Sequence, residues 1–226
     1  MIRVLLADDH PLFREGVKQI LAETSDIVVA DEASDGREVL VKLGQAQYDV
    51  ILLDIAMPGY SGVEVLKHIK SIMPDQAVLI LSMYSEKQYA LRVLRSGASG
   101  YLTKDSTPDR LVTAIRKVVA GGKYISPELG EELALRVGTE FKVPRHERLS
   151  DREHQVLVMI TSGKTTGEIA DELSLSAKTI STYRARLLEK MNMKTEAELT
   201  HYAIQHELVK EGIKPPPSSS NTLTFF

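Results

Sequence analysis

The sequence of 226 residues contains no cysteine and no tryptophan, and only 5% of its residues are aromatic. The absence of cysteine excludes a disulfide scaffold, a thiolate zinc site, a cysteine nucleophile and a CxxC redox centre. Apolar runs fall far short of the ~20 residues that span a bilayer, and the N-terminal run is too short for a signal peptide. We therefore expect a cytoplasmic protein without a membrane partner.

The chain also has little excess charge of either sign. Its formal net charge is −3, with 26% charged and 43% hydrophobic residues, which is the composition of an ordinary globular protein. A basic surface able to bind a polyanion is therefore expected only locally.

Residues 1–124 alternate between short apolar runs and segments with helical periodicity. The apolar runs, rich in Val, Ile and Leu, lie at 2–7, 27–30, 50–53, 77–81 and 98–102. Because these runs are apolar throughout, each strand must be covered on both faces, as in a parallel sheet. The pattern predicts an α/β domain with a doubly wound, five-stranded parallel sheet and five helices.

The chain after residue 124 has a different character. Residues 125–147 are predicted to be a linker, with a short helix that begins at Ser126-Pro127 and extends to about Val137. Residues 148–211 contain no strand-like run and predict a small all-α domain, and the proline- and serine-rich tail at 212–226 is expected to be disordered. The expected helix N-caps of the second domain are Ser150, Thr166, Ser176 and Thr195.

Polar side chains that suit phosphate chemistry follow the predicted strands of the first domain. They are Asp8, Asp9, Asp54, Ser82 and Lys104. Because sites in open α/β sheets form at the carboxyl ends of the strands, we expect these side chains to meet at one edge. Any single acid or Ser82 could simply cap a helix, but capping explains neither three converging carboxylates nor the lysine.

Three adjacent carboxylates repel one another unless a cation neutralises them. Mg²⁺ prefers oxygen ligands and keeps several waters, so we expect it to be bound directly by Asp9, Asp54 and a backbone carbonyl near Ala56, and by Asp8 through water. Asp54 is then a candidate nucleophile for phosphoryl transfer, with Lys104 and the Ser82 hydroxyl at the phosphoryl oxygens.

These motifs resemble the receiver domain of two-component response regulators. The matching residues are Asp8-Asp9-His10, Leu53-Asp54-Ile55-Ala56-Met57-Pro58, Gly62, Ser82, Tyr101 and Lys104. The resemblance implies that Asp54 accepts a phosphoryl group from a sensor histidine kinase and that Mg²⁺ lies among the acids. It also implies that Ser82 and Tyr101 form a switch pair and that Lys104 contacts the phosphate.

An aspartate-phosphate hydrolase is the alternative for this chemistry. Such enzymes usually carry a second Asp two residues beyond the nucleophile, and that position is Ala56 in this sequence. We therefore expect no catalysis beyond phosphoryl transfer to the chain itself and its reversal. A hydrolase would turn over many phosphodonor molecules per chain, whereas a regulator would keep one labile phosphoryl group.

Residues 166–191 predict a helix, a tight turn and a second helix, the latter at 177–191. The apolar side of the second helix carries Ile180, Leu187, Leu188 and Met191, and the opposite side carries Lys178, Ser181, Thr182, Ala185 and Arg186. Between Ala177 and Lys194 there are five Lys or Arg residues and one acid. Such a run can be a solvated surface and no more. Small and hydroxyl side chains among these cations instead favour a helix-turn-helix whose second helix enters the major groove of DNA.

The second domain resembles the LuxR-type DNA-binding domain. The matching residues are Leu149-Ser150-Asp151-Arg152-Glu153, Val156-Leu157, Gly163, Glu168-Ile169-Ala170, Leu173, Ser176, Lys178-Thr179-Ile180, Tyr183 and Lys190-Met191. The chain from residue 1 to about 208 therefore resembles the NarL/FixJ class of response regulators. The implied partner is double-stranded promoter DNA. Its bases would be contacted by Ser181, Thr182 and Ala185, and its backbone by Lys178, Thr179, Tyr183, Arg184 and Arg186, with Lys190 in reach of a phosphate.

The resemblance also suggests how phosphorylation controls DNA binding. A phosphorylated Asp54 is expected to favour a state that frees the second helix of the motif and pairs two chains into a homodimer. The last predicted helix, 195–208, would be the dimer contact on DNA, although packing onto its own domain explains some of its apolar residues equally well. A second domain that binds protein rather than DNA remains an alternative, which salt-dependent binding to duplex DNA would exclude.

Overall fold

The structure, a computed structural model, describes residues 1–127, 129–131 and 144–209, and it describes Lys87 and Gln88 by their backbone alone. The predicted linker helix beyond residue 131 and the predicted tail at 212–226 lie outside the described residues. Among the helices that are described, none has the length and apolarity to cross a membrane.

The first domain is built on a parallel sheet of five strands. The strands are β1 (Ile2–Ala7), β2 (Ile27–Ala33), β3 (Val50–Asp54), β4 (Ala77–Ser82) and β5 (Gly100–Thr103), and their order in the sheet is β2-β1-β3-β4-β5. The helices are α1 (Pro11–Ala22), α2 (Gly36–Leu43), α3 (Gly62–Ile72), α4 (Glu86–Arg95) and α5 (Pro108–Val119). The predicted fold class is confirmed, and β2 extends three residues beyond its apolar run.

Helices cover both faces of this sheet. One apolar cluster joins the sheet to α2, α3 and α4 through residues such as Val39, Leu66 and Val93. A second cluster joins the opposite face to α1 and α5, for example through Leu21 and Ile115. This double covering is why the strands are apolar throughout and do not alternate.

The register of the sheet brings the ends of β1 and β3 together. Ala7 is paired with Leu53, so Asp8 and Asp54 leave the sheet side by side at its carboxyl edge. The chain after Asp54 then folds back closely, because a Cβ on Gly62 would lie 1.9 Å from the Asp54 carbonyl oxygen. Only glycine allows α3 to begin this close to the strand end.

The second domain consists of a short 3-10 turn (Arg145–Arg148) and four helices. They are α6 (Asp151–Thr161), α7 (Thr166–Glu172), α8 (Ala177–Met191) and α9 (Glu196–Gln205). Their core includes Leu157, Ile169, Ile180, Leu187 and Leu199. The turn between α7 and α8 contains Ser174 in the left-handed conformation, with φ of 52°.

Three of the four predicted N-caps are confirmed, and the fourth is wrong. The side chains of Ser150, Ser176 and Thr195 each accept a backbone N–H three residues later. Thr166 is instead the first residue inside α7, and Thr165 caps the helix because its backbone is extended and its side chain accepts the N–H of Glu168. The Glu168 carboxylate in turn accepts the Thr165 N–H, which completes a capping box.

Helix α6 lies between the two domains, and each of its residues is buried. Leu157 and Met159 belong to the core of the second domain, whereas Val158 joins the apolar cluster of the first. Asp151, His154 and Val158 recur at helical spacing, so they form one stripe that faces the first domain. The two domains are therefore packed together along α6.

Candidate functional site

The predicted acidic cluster is brought together at the carboxyl edge of the sheet. Asp8, Asp9, His10 and Asp54 each offer one ligand atom, and these atoms lie within 4.8 Å of one another. The Lys104 ammonium lies 2.7 Å from a carboxylate oxygen of Asp8 and 2.7 Å from one of Asp54. Asp8, Asp54 and Lys104 are nearly inaccessible to solvent, whereas Asp9 is partly exposed.

The electrostatics of this pocket depend on Lys104. Burial raises the pKa of Asp54 and the charge of Asp8 raises it further, while the adjacent Lys104 opposes both effects. Burial alone would lower the pKa of Lys104, but the charge of Asp54 and bonds to both carboxylates outweigh it, so the pKa of Lys104 is raised. The lysine therefore stays charged and keeps a positive group between the two carboxylates.

The loop after β3 contacts the Asp54 carboxylate. The Ala56 N–H donates to Asp54 Oδ1 at 3.2 Å, which places the backbone predicted as a metal ligand beside the acids. His10 had no assigned role in the sequence prediction, yet its Nδ1 lies 2.8 Å from Asp9 and 3.2 Å from Asp8. The available signal for His10 was its position directly after the two acids.

The predicted switch residues Ser82 and Tyr101 both contact Tyr84. The Ser82 hydroxyl accepts the Tyr84 N–H at 3.2 Å, and the Tyr101 hydroxyl donates to the Tyr84 carbonyl at 2.7 Å. Ser82 and Tyr101 are fully buried, and burial raises the pKa of the Tyr101 hydroxyl. Because Ser82 Oγ only accepts in this bond, its O–H can still donate to another group.

The predicted DNA-facing residues of α8 occupy its solvent side. The exposed ones are Lys178, Ser181, Thr182, Ala185, Arg186 and Lys190, and the partly exposed ones are Thr179, Tyr183 and Arg184. Two of the cations already pair within the domain, Arg184 with Glu196 at 2.8 Å and Lys190 with Glu153 at 2.7 Å. A phosphate contact by either one therefore competes with an existing ion pair.

Contacts between the domains reach the loop after Asp54. Arg152 of α6 donates a hydrogen bond to the Gly59 carbonyl and lies 3.8 Å from Glu64. Arg92 of α4 bonds Asp151 at 2.7 Å and also donates to the Leu149 carbonyl. Sequence reasoning missed these contacts, because no local pattern links partners that are this far apart in the chain.

Comparisons with known proteins agree with both halves of this structure. Residues 4–116 match the family described as the response regulator receiver domain. Residues 147–203 match the family described as bacterial regulatory proteins, luxR family. The chain is a response regulator of the NarL/FixJ class. This regulator therefore combines a receiver with a LuxR-type DNA-binding domain, and it is a transcription regulator of a two-component system.

Relatives of the regulator are similar over nearly its whole length. Response regulator UvrY of Escherichia coli K12 is 38% identical over 209 residues, which are 92% of this chain and 96% of UvrY. Response regulator GacA of Pseudomonas aeruginosa is 36% identical over 213 residues, which are 92% of this chain and 98% of GacA. A solved structure of RcsB from Salmonella enterica serovar Typhimurium, bound to promoter rprA with phosphomimetic BeF₃⁻, is similar with a TM-score of 0.62 and 26% identity. That similarity covers 89% of this chain and 97% of the RcsB chain.

Proposed function

We propose that Asp54 accepts a phosphoryl group from a sensor histidine kinase and that this modification controls binding of α8 to double-stranded promoter DNA. The observation that best supports this proposal is the position of the Lys104 ammonium. It lies 2.7 Å from a carboxylate oxygen of Asp8 and 2.7 Å from one of Asp54, at the carboxyl edge of the sheet. A cation held between two buried acids suits a site where a dianionic group is added to one of them.

The same pocket fits Mg²⁺ by its donor set. Asp8, Asp9 and Asp54 supply only carboxylate oxygens, their ligand atoms are close together, and the backbone at Ala56 lies beside them. These residues would hold the ion. When bound, Mg²⁺ would neutralise charge on the phosphoryl oxygens.

The phosphoryl transfer follows from the positions of the side chains. An Asp54 carboxylate oxygen attacks phosphorus, a new P–O bond forms, and the P–N bond to the donor imidazole breaks as its nitrogen keeps the electron pair. Lys104 balances the charge gained at Asp54, and the Ser82 hydroxyl, whose oxygen accepts the Tyr84 N–H, donates its own proton to a phosphoryl oxygen. Attack by water later releases inorganic phosphate and restores the Asp54 carboxylate, so the chain reverses its own modification.

The DNA complex uses the exposed side of α8. Ser181, Thr182 and Ala185 are short enough to let the helix approach base edges in the major groove. The phosphates are contacted by Lys178, Thr179, Tyr183, Arg184, Arg186 and Lys190. Phosphate contacts provide affinity and base contacts provide specificity.

The domain organisation is that of a receiver (1–124), a linker (125–147), a DNA-binding domain (148–211) and a tail (212–226). In the docked arrangement the α8 surface is already exposed. Release of the second domain therefore does not uncover α8, but lets this domain pair with a second chain and orient itself on DNA. Two phosphorylated chains then form a homodimer on DNA, with α9 as a contact. Its exposed side carries Ala197 and His201, whereas Leu199 and Ala203 pack inside the domain.

A footprint on genomic fragments tests the proposal. Wild type, Asp54→Ala and the surface control Asp75→Ala are incubated with Mg²⁺, with or without acyl phosphate, and intact mass is recorded in parallel. Wild type and the control gain one phosphoryl group and a stronger footprint with the donor, and Asp54→Ala gains neither. A donor-dependent footprint in Asp54→Ala would contradict the assignment.

A further inference from the structure

The domain interface contains a buried histidine that neither phosphoryl transfer nor DNA recognition uses. His154 lies in the stripe of α6 that faces the receiver, and its side chain is 1% exposed. Its ring meets the edge of Tyr89 from α4 with centroids 4.8 Å apart. Among the described residues, His154 Nδ1 and the Tyr89 hydroxyl have no hydrogen-bond partner.

We propose that His154 is an acid-sensitive switch of domain docking, in which a neutral imidazole keeps α6 on the receiver and proton uptake by His154 separates the domains. The proposal concerns the docked interface of the unphosphorylated chain. It rests on the proposed function only for its consequence, namely that acid frees the DNA-binding domain without a phosphoryl group.

The charged groups around His154 disfavour an imidazolium. From α4 it faces Arg92 and Tyr89, and from the 3-10 turn it faces His146 at 6.1 Å between ring centroids. Beyond His146 lie the rings of Tyr202 from α9 and of His206, the residue that follows this helix.

The Asp151 carboxylate on the same helix does not offset the charge of Arg92. Asp151 is bound to Arg92 at 2.7 Å and to Lys67 of α3 at 2.7 Å, so its charge is already balanced. On the same side, Glu64 of α3 is paired with Arg152, and Glu147 of the 3-10 turn is paired with Arg95. A proton added at Nδ1 therefore places a cation in a buried site beside Arg92, without an acceptor.

The direction of the pH effect follows from this environment. Burial, with the charges of Arg92 and His146, lowers the pKa of His154 well below its ordinary value in the docked state. After separation the imidazole is solvated, and its pKa returns to about 6.5. Below about pH 6.5 the open state therefore binds a proton that the docked state does not, and the open-to-docked ratio rises up to about tenfold per pH unit.

The absence of cysteine makes a distance measurement direct. Cysteines replace the exposed residues Ile72 of α3 and Glu189 of α8 in the full chain, and donor and acceptor dyes are attached. Energy transfer is recorded between pH 8 and pH 5.5 without DNA or phosphodonor, and circular dichroism monitors folding. The readout is the slope of the open-to-docked ratio with pH.

The expected result is a loss of energy transfer in wild type as pH falls. The slope disappears in His154→Gln, which cannot titrate here, and in His154→Phe, which keeps a ring against Tyr89. The controls His201→Gln, in α9, and His206→Gln, directly after α9, retain the wild-type slope. A wild-type slope in both His154 variants, or a constant distance in wild type, would overturn the proposal. Because neither DNA nor phosphoryl groups are present, failure of the proposed phosphorylation would leave this measurement unchanged.

Discussion

Lys104 has more consequences than any other side chain of the acidic pocket. Its ammonium neutralises part of the charge of two buried carboxylates and lies 4.8 Å from the centroid of the Phe13 ring, where a cation–π contact adds to its position. Without it, Asp8 and Asp54 would face each other buried and unbalanced. The residue therefore supports the fold of the pocket, and in the proposed mechanism it would also balance the charge of the phosphoryl group.

Replacing this lysine should affect chemistry and stability together. In Lys104→Met, phosphorylation of Asp54 by acyl phosphate should fall by about 10²-fold or more, because one preorganised cation at the phosphoryl oxygens is removed. The rate is measured by intact mass over time. The control Lys117→Met, on the outside of α5, should phosphorylate like wild type, and equal rates in both variants would refute the role of Lys104.

Among the helices, α6 has a sequence pattern that differs from that of an amphipathic helix with one apolar face. Val156, Leu157, Val158, Met159 and Ile160 are consecutive apolar residues inside one helix. Such a run places apolar side chains all around the axis, and a helix of that kind must be covered on every side. The second domain covers one side, so the pattern already required a further partner, which the structure identifies as the receiver.

The capping of α7 gives a paired test at the level of one helix. Thr165→Ala should destabilise the second domain by about 1 kcal/mol, because it removes the side-chain acceptor at the N-cap and one half of the capping box. Thr166→Ala should change the free energy of unfolding little, since Thr166 is inside the helix. Chemical denaturation of both variants measures this, and equal losses would contradict the cap assignment.

The basic side of α8 gives a second test for an element. Arg186→Ala should weaken binding to all duplex sequences similarly and reduce the slope of log K against log salt by about 1, because one phosphate contact is lost. Fluorescence anisotropy at several salt concentrations measures the slope. Lys42→Ala on the receiver is the matched control. An unchanged slope in Arg186→Ala would remove this residue from the DNA interface.

For the whole molecule, the acidic pocket and the DNA-binding domain are joined by a continuous set of contacts. Ser82 bonds Tyr84, the Tyr84 ring stacks on Tyr89 with centroids 4.9 Å apart, and Tyr89 meets His154. In the proposed mechanism, a displacement of Ser82 would disturb its bond with the backbone of Tyr84, whose ring packs against Tyr89 at the interface. The route is short because β4 and α4 form both the pocket and the docking surface.

The two arginines of α4 should differ in their effect on docking. Arg92 is 12% exposed and pairs with buried Asp151, whereas Arg95 is 59% exposed and pairs with Glu147. Arg92→Met should destabilise the docked state by about 2 kcal/mol, because the buried Asp151 carboxylate loses a charge-assisted hydrogen bond but keeps its pair with Lys67. Arg95→Met should cost about 1 kcal/mol or less, because exposed pairs are screened by solvent.

Hydrogen exchange across α4 and α6 measures the difference between these variants. Faster exchange is expected in Arg92→Met, with the receiver sheet unchanged. If Arg95→Met exposes α6 as strongly as Arg92→Met does, the burial argument fails.

Local patterns in the sequence were sufficient to predict the strands and helices and to identify the residues of the acidic pocket. Continuous apolar runs define the five strands. Because parallel strands share one carboxyl edge, the sequence alone is enough to group Asp8, Asp54, Ser82 and Lys104. The boundaries of α8 follow from helical periodicity and a serine N-cap. Both signals are local, because each depends only on residues a few positions apart.

Contacts between distant parts of the chain required the tertiary structure. Arg92 and Asp151 are 59 residues apart, and Arg152 and Gly59 are 93 apart, so no periodicity links them. The burial of His154 and the position of Tyr84 between Ser82 and Tyr101 likewise depend on how two complete domains pack. Helical spacing determines which side chains share a face, but the partner of that face is chosen by the shape and charge of surfaces that exist only after each domain has folded.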